Sequence, residues 1–210
     1  MKPTIAIMGG TGKSGRYLVE KLLREEYHIK ILLRDPEKFL IKSPFITPVK
    51  GDARNYDDIY KLTIGCDAVL STLGQPKGES PIFSDATTNV LRAMDTHGIK
   101  RYVVTTGVNV DTCFDKKGPE ATFATAWMKT NYAATTGDKQ KEYELLFSSN
   151  QYWTLVRLPF IELTDDVSDI NVNLEDCPGP KISAASLANF LIEQLGNEAY
   201  CGKAPFIANV

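Results

Sequence analysis

The first residues whose types and spacing suit chemistry are glycines. Gly9, Gly12 and Gly15 stand three apart in "IMGGTGKSGRYLVEKLL". Glycines let backbone N–H groups approach a phosphate closely, so such a turn can hold a nucleotide. Two nucleotides compete for it. Gly12-Lys13-Ser14 matches the end of a P-loop, which needs Gly-x-x-x-x-Gly-Lys-Ser/Thr to encircle a nucleoside triphosphate. Five residues before Gly12 stands Ile7, inside the apolar run Ile5 to Met8. The loop is too short, and on spacing alone Lys13 reads as a solvated residue of the first helical turn. The dinucleotide reading fits its surroundings. A β-type run, Thr4 to Met8, enters the turn, and a helix leaves it with Tyr17, Leu18, Leu22 and Leu23 on one face. The N–H groups and partial positive charge of that helix N-terminus would meet a pyrophosphate. The spacing departs from the usual Gly-x-Gly-x-x-Gly.

The end of the second strand distinguishes the dinucleotides. Sites for NAD place Asp or Glu there, about twenty residues past the glycines, to hold the ribose 2′-hydroxyl. This chain has Arg34, nineteen residues after Gly15. A guanidinium clamps a 2′-phosphate bidentately, and Lys38 adds charge one turn later. NADP(H) is therefore favoured. Asp35 keeps NAD(H) open, because it can bind the ribose instead.

The elements that position these residues alternate along the chain. "HIKILLR" (28–34) and "ITPVKGD" (46–52) read as strands two and three, and "YDDIYKLTI" as a helix ended by Gly65. "DAVLSTLG" (67–74) is a continuously apolar strand, as expected where both sheet faces are covered. A helix over 85–97 stops at Gly98, strand five is "RYVVTT" (101–106), and "KQKEYELLFSSN" (139–150) is helical. "YWTLVRL" (152–158) is a strand, Ser183 caps a helix over 183–196, and "APFIANV" returns as a last strand. Strands alternating with helices predict an α/β fold, a doubly wound parallel sheet of the Rossmann kind with helices on both faces. The 210 residues suit one domain, 1–210. Segments 107–137 and 159–181 break the alternation and read as long substrate-side loops at the carboxyl edge of the sheet, where open α/β folds bind ligands. Phe114, Phe123 and Trp127 in the first either cover a flat substrate or form a satellite core beneath the loop.

A net charge of −2 with no basic run argues against nucleic acid or an anionic membrane as partner. No apolar stretch nears the ~20 residues of a membrane span, and the N-terminus lacks a signal-peptide core. Cys66, Cys113, Cys177 and Cys201 form no Cys-x-x-Cys pair and, with two histidines, no metal cluster of usual spacing. Reduced thiols in a cytoplasmic protein with a small-molecule substrate and no metal are the expectation. Oligomeric state is not legible.

Seven segments in order carry a family resemblance: "GGTGKSG", "LLRDPEK", "KGDARNYDDI", "CDAVLSTLG", "GIKRYVVTTG", "EYELLFSSNQYWTLVRLPFI" and "KISAASLANFLIEQL". The chain resembles, over nearly its whole length, the atypical short-chain dehydrogenase/reductase group that includes biliverdin-IXβ reductase/flavin reductase and the NmrA-like proteins. The resemblance implies that Gly9, Gly12 and Gly15 line the pyrophosphate, with donors from Thr11, Lys13 and Ser14. It places Arg34 and Lys38 at the 2′-phosphate, Asp52 and Ala53 beside the adenine, and Leu73 and Gly74 along the nicotinamide-side ribose. Thr105 and Thr106 would face the nicotinamide, and Pro159 and Phe160 would close over its carboxamide.

The departures constrain mechanism. Alcohol-directed members use Tyr-x-x-x-Lys, a phenol acid activated by lysine. Here neither Tyr132 nor Tyr143 has lysine four residues later, Thr135 stands in the tyrosine's place before Lys139, and the serine of the biliverdin-reductase relatives is Gly107. Thr106 and Lys139 remain as catalytic candidates. Hydride transfer to a conjugated acceptor needs little acid catalysis, so the protein's task is to stack acceptor against nicotinamide. An NADPH-dependent reductase of flavin, biliverdin-like tetrapyrrole or quinone follows. The alternatives are a silent NADP(H)-binding regulator of the NmrA type and a nucleotide-sugar epimerase or dehydratase.

Overall fold

The computed structural model describes residues 2–209. β1 (Ile5–Met8) is buried at every residue. Its side chains divide between two cores, as strand geometry requires. Ile5 and Ile7 face one layer, and Ala6 and Met8 the other. α1 (Gly15–Arg24), β2 (Ile29–Leu33), β3 (Ile46–Lys50), α2 (Tyr56–Thr63), β4 (Ala68–Ser71), α3 (Phe83–His97) and β5 (Arg101–Gly107) follow in alternation. α4 (Pro119–Asn131) and α5 (Ala133–Phe147) precede β6 (Tyr152–Leu158). Then come β7 (Phe160–Glu162), β8 (Ile170–Asn173), β9 (Lys181–Ser183), α6 (Ala184–Glu193) and β10 (Phe206–Asn209). Val210, the end of the expected last strand, lies outside the described residues, as does Met1.

The main sheet has eight strands in the order β3-β2-β1-β4-β5-β6-β10-β8, and β7 pairs with β9 in a separate ribbon. Six of the seven pairings in the main sheet are parallel. The exception corrects the expectation of a wholly parallel sheet: β8 runs antiparallel to β10, pairing Val172 with Ile207. Leu18, Val19, Leu22, Leu187 and Leu191 of α1 and α6 cover the Ile5/Ile7 face. Ile59, Leu62, Val90, Met94 and Leu146 of α2, α3 and α5 cover the other. The chain reverses its direction across the sheet between β1 and β4, which opens a crevice at their carboxyl ends.

Local chemistry sets several boundaries as the residue types predict. Gly98 ends α3 in the left-handed conformation, at φ 72°. The Ser183 hydroxyl caps α6 by accepting from the Ser186 amide at 3.0 Å.

The two irregular segments are more ordered than their sequence suggests. Segment 107–137 contains all of α4 and the first turn of α5, which begins at Ala133 rather than at residue 139. α4 buries only Ala121 and Thr125, while Phe123, Trp127 and Tyr132 stand exposed. A helix that buries small and polar residues and exposes its aromatics has no apolar stripe to read. Segment 159–181 holds β7 and β8, and its last residue starts β9.

The face under α3 and α5 is not wholly apolar. Thr87 Oγ1 donates to Glu142 Oε1 at 2.8 Å and lies 3.2 Å from the Tyr102 hydroxyl. Glu142 Oε2 is buried without a partner. Burial pushes the Glu142 carboxyl up to about 8 and, in the opposite sense, pushes the Lys139 ammonium down. Lys139 lies over the Phe83 ring, 4.8 Å from its centroid.

A carboxyl raised in the folded state keeps a proton that the unfolded chain releases. Its contribution is whole below the ordinary value of 4.5 and is lost as pH rises through about 8. Glu142→Gln keeps an acceptor for Thr87 and removes this titration. The variant's melting temperature should gain on wild type progressively from about pH 5 to about pH 9. A difference independent of pH in thermal melts would refute the assignment.

Candidate functional site

The turn after β1 is built for close backbone approach. Gly9 adopts φ +77°, and a Cβ there would lie 2.5 Å from the Thr72 carbonyl carbon and 2.7 Å from the Leu73 amide nitrogen. Gly12 N–H donates to the Gly9 carbonyl at 2.9 Å, closing the turn. Gly15 opens α1 directly beneath it, where a Cβ would collide with the same Gly9 carbonyl and with Thr72 Oγ1.

The start of α1 offers unsatisfied donors. Ser14 stands at the N-cap without using its side chain to cap, and the first turn has no acidic residue. Among the described residues, the amides of Thr11, Lys13 and Ser14 donate to no backbone carbonyl. α2 shows the contrast: Asn55 caps its N-terminus, and Asp57 and Asp58 neutralise its first turn. The bare end of α1 opens onto a cleft of about 730 Å³. Gly9, Thr11, Gly12, Lys13, Ser14, Arg34, Lys38, Asp52, Ala53, Leu73 and Gly74 all line it. Glycine cradle, free hydroxyl and free amides fit a pyrophosphate, so the donor set suits a dinucleotide.

At the far end of this cleft the charges are interlinked. Arg34 Nη1 contacts Glu79 Oε1 at 2.8 Å, and Arg54 Nη2 contacts Glu79 Oε2 at 2.7 Å. Arg54 also holds Asp52 through Nε at 3.0 Å and Nη2 at 2.8 Å, and Lys38 meets Asp35 at 2.7 Å. These partners hold the Asp52, Asp35 and Glu79 carboxyls below their ordinary range, and the neighbouring guanidiniums are the main cause at Asp52 and Glu79. Arg54 and Glu79 are absent from the sequence-based set. Arg54 had a local signal, two residues after Asp52, whereas Glu79 arrives across a turn that no periodicity marks.

A second cavity, of about 910 Å³, lies beyond the carboxyl ends of β5 and β6. Phe123 and Trp127, one turn apart on α4, line it with Met128, Leu158, Pro159, Phe160 and Cys177. Asn109 also lines it, nearly fully buried, with its Nδ2 bound to no partner. Sequence reasoning missed Asn109, which carries no motif. Phe114 is a correction to the aromatic group, since it borders a separate cavity of about 240 Å³ with Tyr143, Trp153 and Arg157. The acid Asp115, one residue on, pairs with buried Arg157 at 2.6 Å and draws residue 114 to that side.

The two catalytic candidates also sit differently from expectation. Thr106 is buried with an unpartnered hydroxyl and lines neither cavity. Lys139 lines neither cavity, being held under α3 against Phe83. Thr105 is buried, its hydroxyl on the Ser71 carbonyl at 3.4 Å. Pro159 and Phe160 belong to the second cavity rather than the first.

Because the Gly15 Cβ would meet backbone, Gly15→Ala should destabilise the fold by about 1–3 kcal/mol and weaken dinucleotide binding. Urea unfolding and calorimetric titration check both, and wild-type values in the variant would contradict the close approach.

Comparison with known proteins agrees with this geometry. The NAD(P)H-binding family matches residues 9–198. An isoflavone reductase homolog A622-like protein of Nicotiana tabacum is 33% identical over 112 residues, covering 49% of this chain and 34% of that protein. Eugenol synthase 1 of Petunia hybrida is 29% identical over 133 residues, covering 59% and 42%. The chain thus spans well under half the length of these relatives. A short-chain dehydrogenase/reductase of Veillonella parvula DSM 2008, solved with NADP, superposes with TM-score 0.82 at 14% identity, covering 100% of this chain and 95% of that one. The anaerobillin reductase ChuY of Escherichia coli O157:H7 gives 0.79 at 16% identity, covering 98% and 97%. With a glycine cradle, a bare helix N-terminus and a family match over nearly its full length, the chain belongs to the NAD(P)H-binding family.

Proposed function

We propose that the protein is an NADPH-dependent reductase that passes hydride to a flat conjugated acceptor: a flavin, a linear tetrapyrrole or a quinone. The observation that carries this reading is the second cavity, walled by Phe123, Trp127 and Phe160, whose titratable lining is Glu120, Asp176 and Cys177, with no tyrosine, lysine or histidine. The solved anaerobillin reductase and the isoflavone reductase homologs among the relatives support an extended conjugated substrate.

When bound, NADPH supplies the hydride. The chain's own residues bind and orient. Thr11, Lys13 and Ser14 offer amides and a hydroxyl to the pyrophosphate, and Arg34 and Lys38 face the 2′-phosphate. Leu73 and Gly74 border the ribose, while Pro159 and Phe160 set the nicotinamide end. Phe123 and Trp127 stack on the acceptor and exclude water. Solvent supplies the proton, consistent with Thr106 and Lys139 standing away from both cavities. Orientation of this kind is sufficient for a large acceleration.

The first test is NADPH oxidation against a panel of FMN, riboflavin, biliverdin and quinones, with NADH in parallel. Saturable, acceptor-dependent turnover preferring NADPH is expected. Tight NADPH binding without turnover would overturn the reductase reading in favour of a sensor. Trp127→Ala should raise KM for the acceptor with little change in NADPH affinity, and Arg34→Ala should lower NADPH affinity about tenfold while sparing NADH. An unaltered KM, or an unaltered NADPH affinity, would remove the corresponding residue from the site.

A further inference from the structure

Three cations and three carboxylates meet at the mouth of the dinucleotide cleft. Asp35 pairs with Lys38, and Asp52 shares Arg54 with Glu79. Glu79 is different, because its two oxygens bridge two guanidiniums that come from separate parts of the chain. Arg34 follows β2 and Arg54 follows β3, and β2 and β3 are neighbours in the sheet. Their spacing is therefore set by the sheet rather than by Glu79. Together they form a two-armed anion seat at which a carboxylate now sits.

The segment that delivers Glu79 is lightly attached. Gly78 takes φ +75°, with open space where a Cβ would stand. Gln75 Nε2 holds the turn by donating to the Pro76 and Glu79 carbonyls at 3.1 and 2.8 Å, and Thr135 Oγ1 donates to Gln75 Oε1 at 3.3 Å. Among the described residues, the two bonds from Glu79 are the only side-chain hydrogen bonds joining residues 76–80 to an element beyond Gln75. Both pairs are solvent-facing, and such pairs are weak and salt-screened. A phosphate monoester has three strong acceptor oxygens and a charge of about −1.5 to −2. It satisfies the two guanidiniums better than one carboxylate does. Without Glu79 the cluster keeps one net positive charge, whereas with Glu79 in place it is neutral and an incoming phosphate meets a carboxylate.

We propose that Arg54 is the second arm of the 2′-phosphate clamp, and that Glu79 occupies the phosphate's place and sets the preference between NADP(H) and NAD(H) by how readily it yields. Release of Glu79 frees the 76–80 turn at the moment the phosphate arrives. The proposal rests on the cofactor reading above only in taking this cleft as the adenosine end of the site.

Calorimetric titration with 2′,5′-ADP and with 5′-AMP tests it without any turnover. Glu79→Gln should tighten 2′,5′-ADP by about fivefold, the equivalent of one exposed ion pair, and leave 5′-AMP unchanged. Arg54→Ala should weaken 2′,5′-ADP by about tenfold and again spare 5′-AMP. Unchanged or weaker 2′,5′-ADP binding in Glu79→Gln would overturn the proposal, as would a loss of 5′-AMP binding, which would make Glu79 a ribose ligand. Wild type binding both nucleotides equally, with Glu79→Gln gaining for 2′,5′-ADP alone, would sustain Glu79's role and refute the NADP(H) preference. Wild type preferring 2′,5′-ADP while neither variant changes that ratio would do the reverse.

Discussion

Everything at the cofactor end depends on how closely the chain leaving β4 passes beneath the turn leaving β1. Gly9 faces the Thr72–Leu73 peptide, and Gly15 lies under the Gly9 carbonyl, at distances that no side chain tolerates. This contact brings two strand ends and a helix start to one point. It directs the free amides of α1 into the crevice created by the reversal of strand order. The donor set at this crevice is thus backbone, fixed by sheet register, with side chains arranged around it.

The same division of labour recurs further along the sheet. The carboxyl ends of β5 and β6 open into a largely apolar chamber whose polar lining is the buried amide of Asn109 and the carboxylates of Glu120 and Asp176. The cations nearby are directed elsewhere. Lys117 and Arg157 are committed to Asp111 and Asp115, holding the 108–118 segment against β6. Glu142 and Lys139 are enclosed between α3 and α5. An environment that keeps cations out of the second cavity and walls it with Phe123, Trp127 and Phe160 is consistent with the acceptor proposed for it.

Much of this was legible in the sequence, and the rest was hidden for identifiable reasons. The buried strands β1 and β4 announced themselves because both faces are covered, and Gly98 and Ser183 marked helix ends through the conformations and bonds that those residue types favour. Eleven cofactor-side residues named from the turn, the strand ends and the family resemblance line one cleft. α4 was missed because its aromatics face outward and its buried positions are Ala121 and Thr125. Antiparallel β8 and the Glu79 bridge were missed because each depends on a partner far away in sequence. Phe114 was misplaced for a related reason, since the neighbouring Asp115 is claimed by Arg157, forty-odd residues away.

The two margins of the main sheet are finished unalike. At one, β3 carries Pro48, which has no N–H to offer a visiting strand, beside exposed Thr47 and Lys50. At the other, short β8 reverses direction and covers β10, alternating half-buried Ile170 and Val172 with exposed Asn171 and Asn173. Both margins therefore present interrupted or polar rows of main-chain groups, which discourages lengthening of the sheet by an extended segment from a neighbouring molecule.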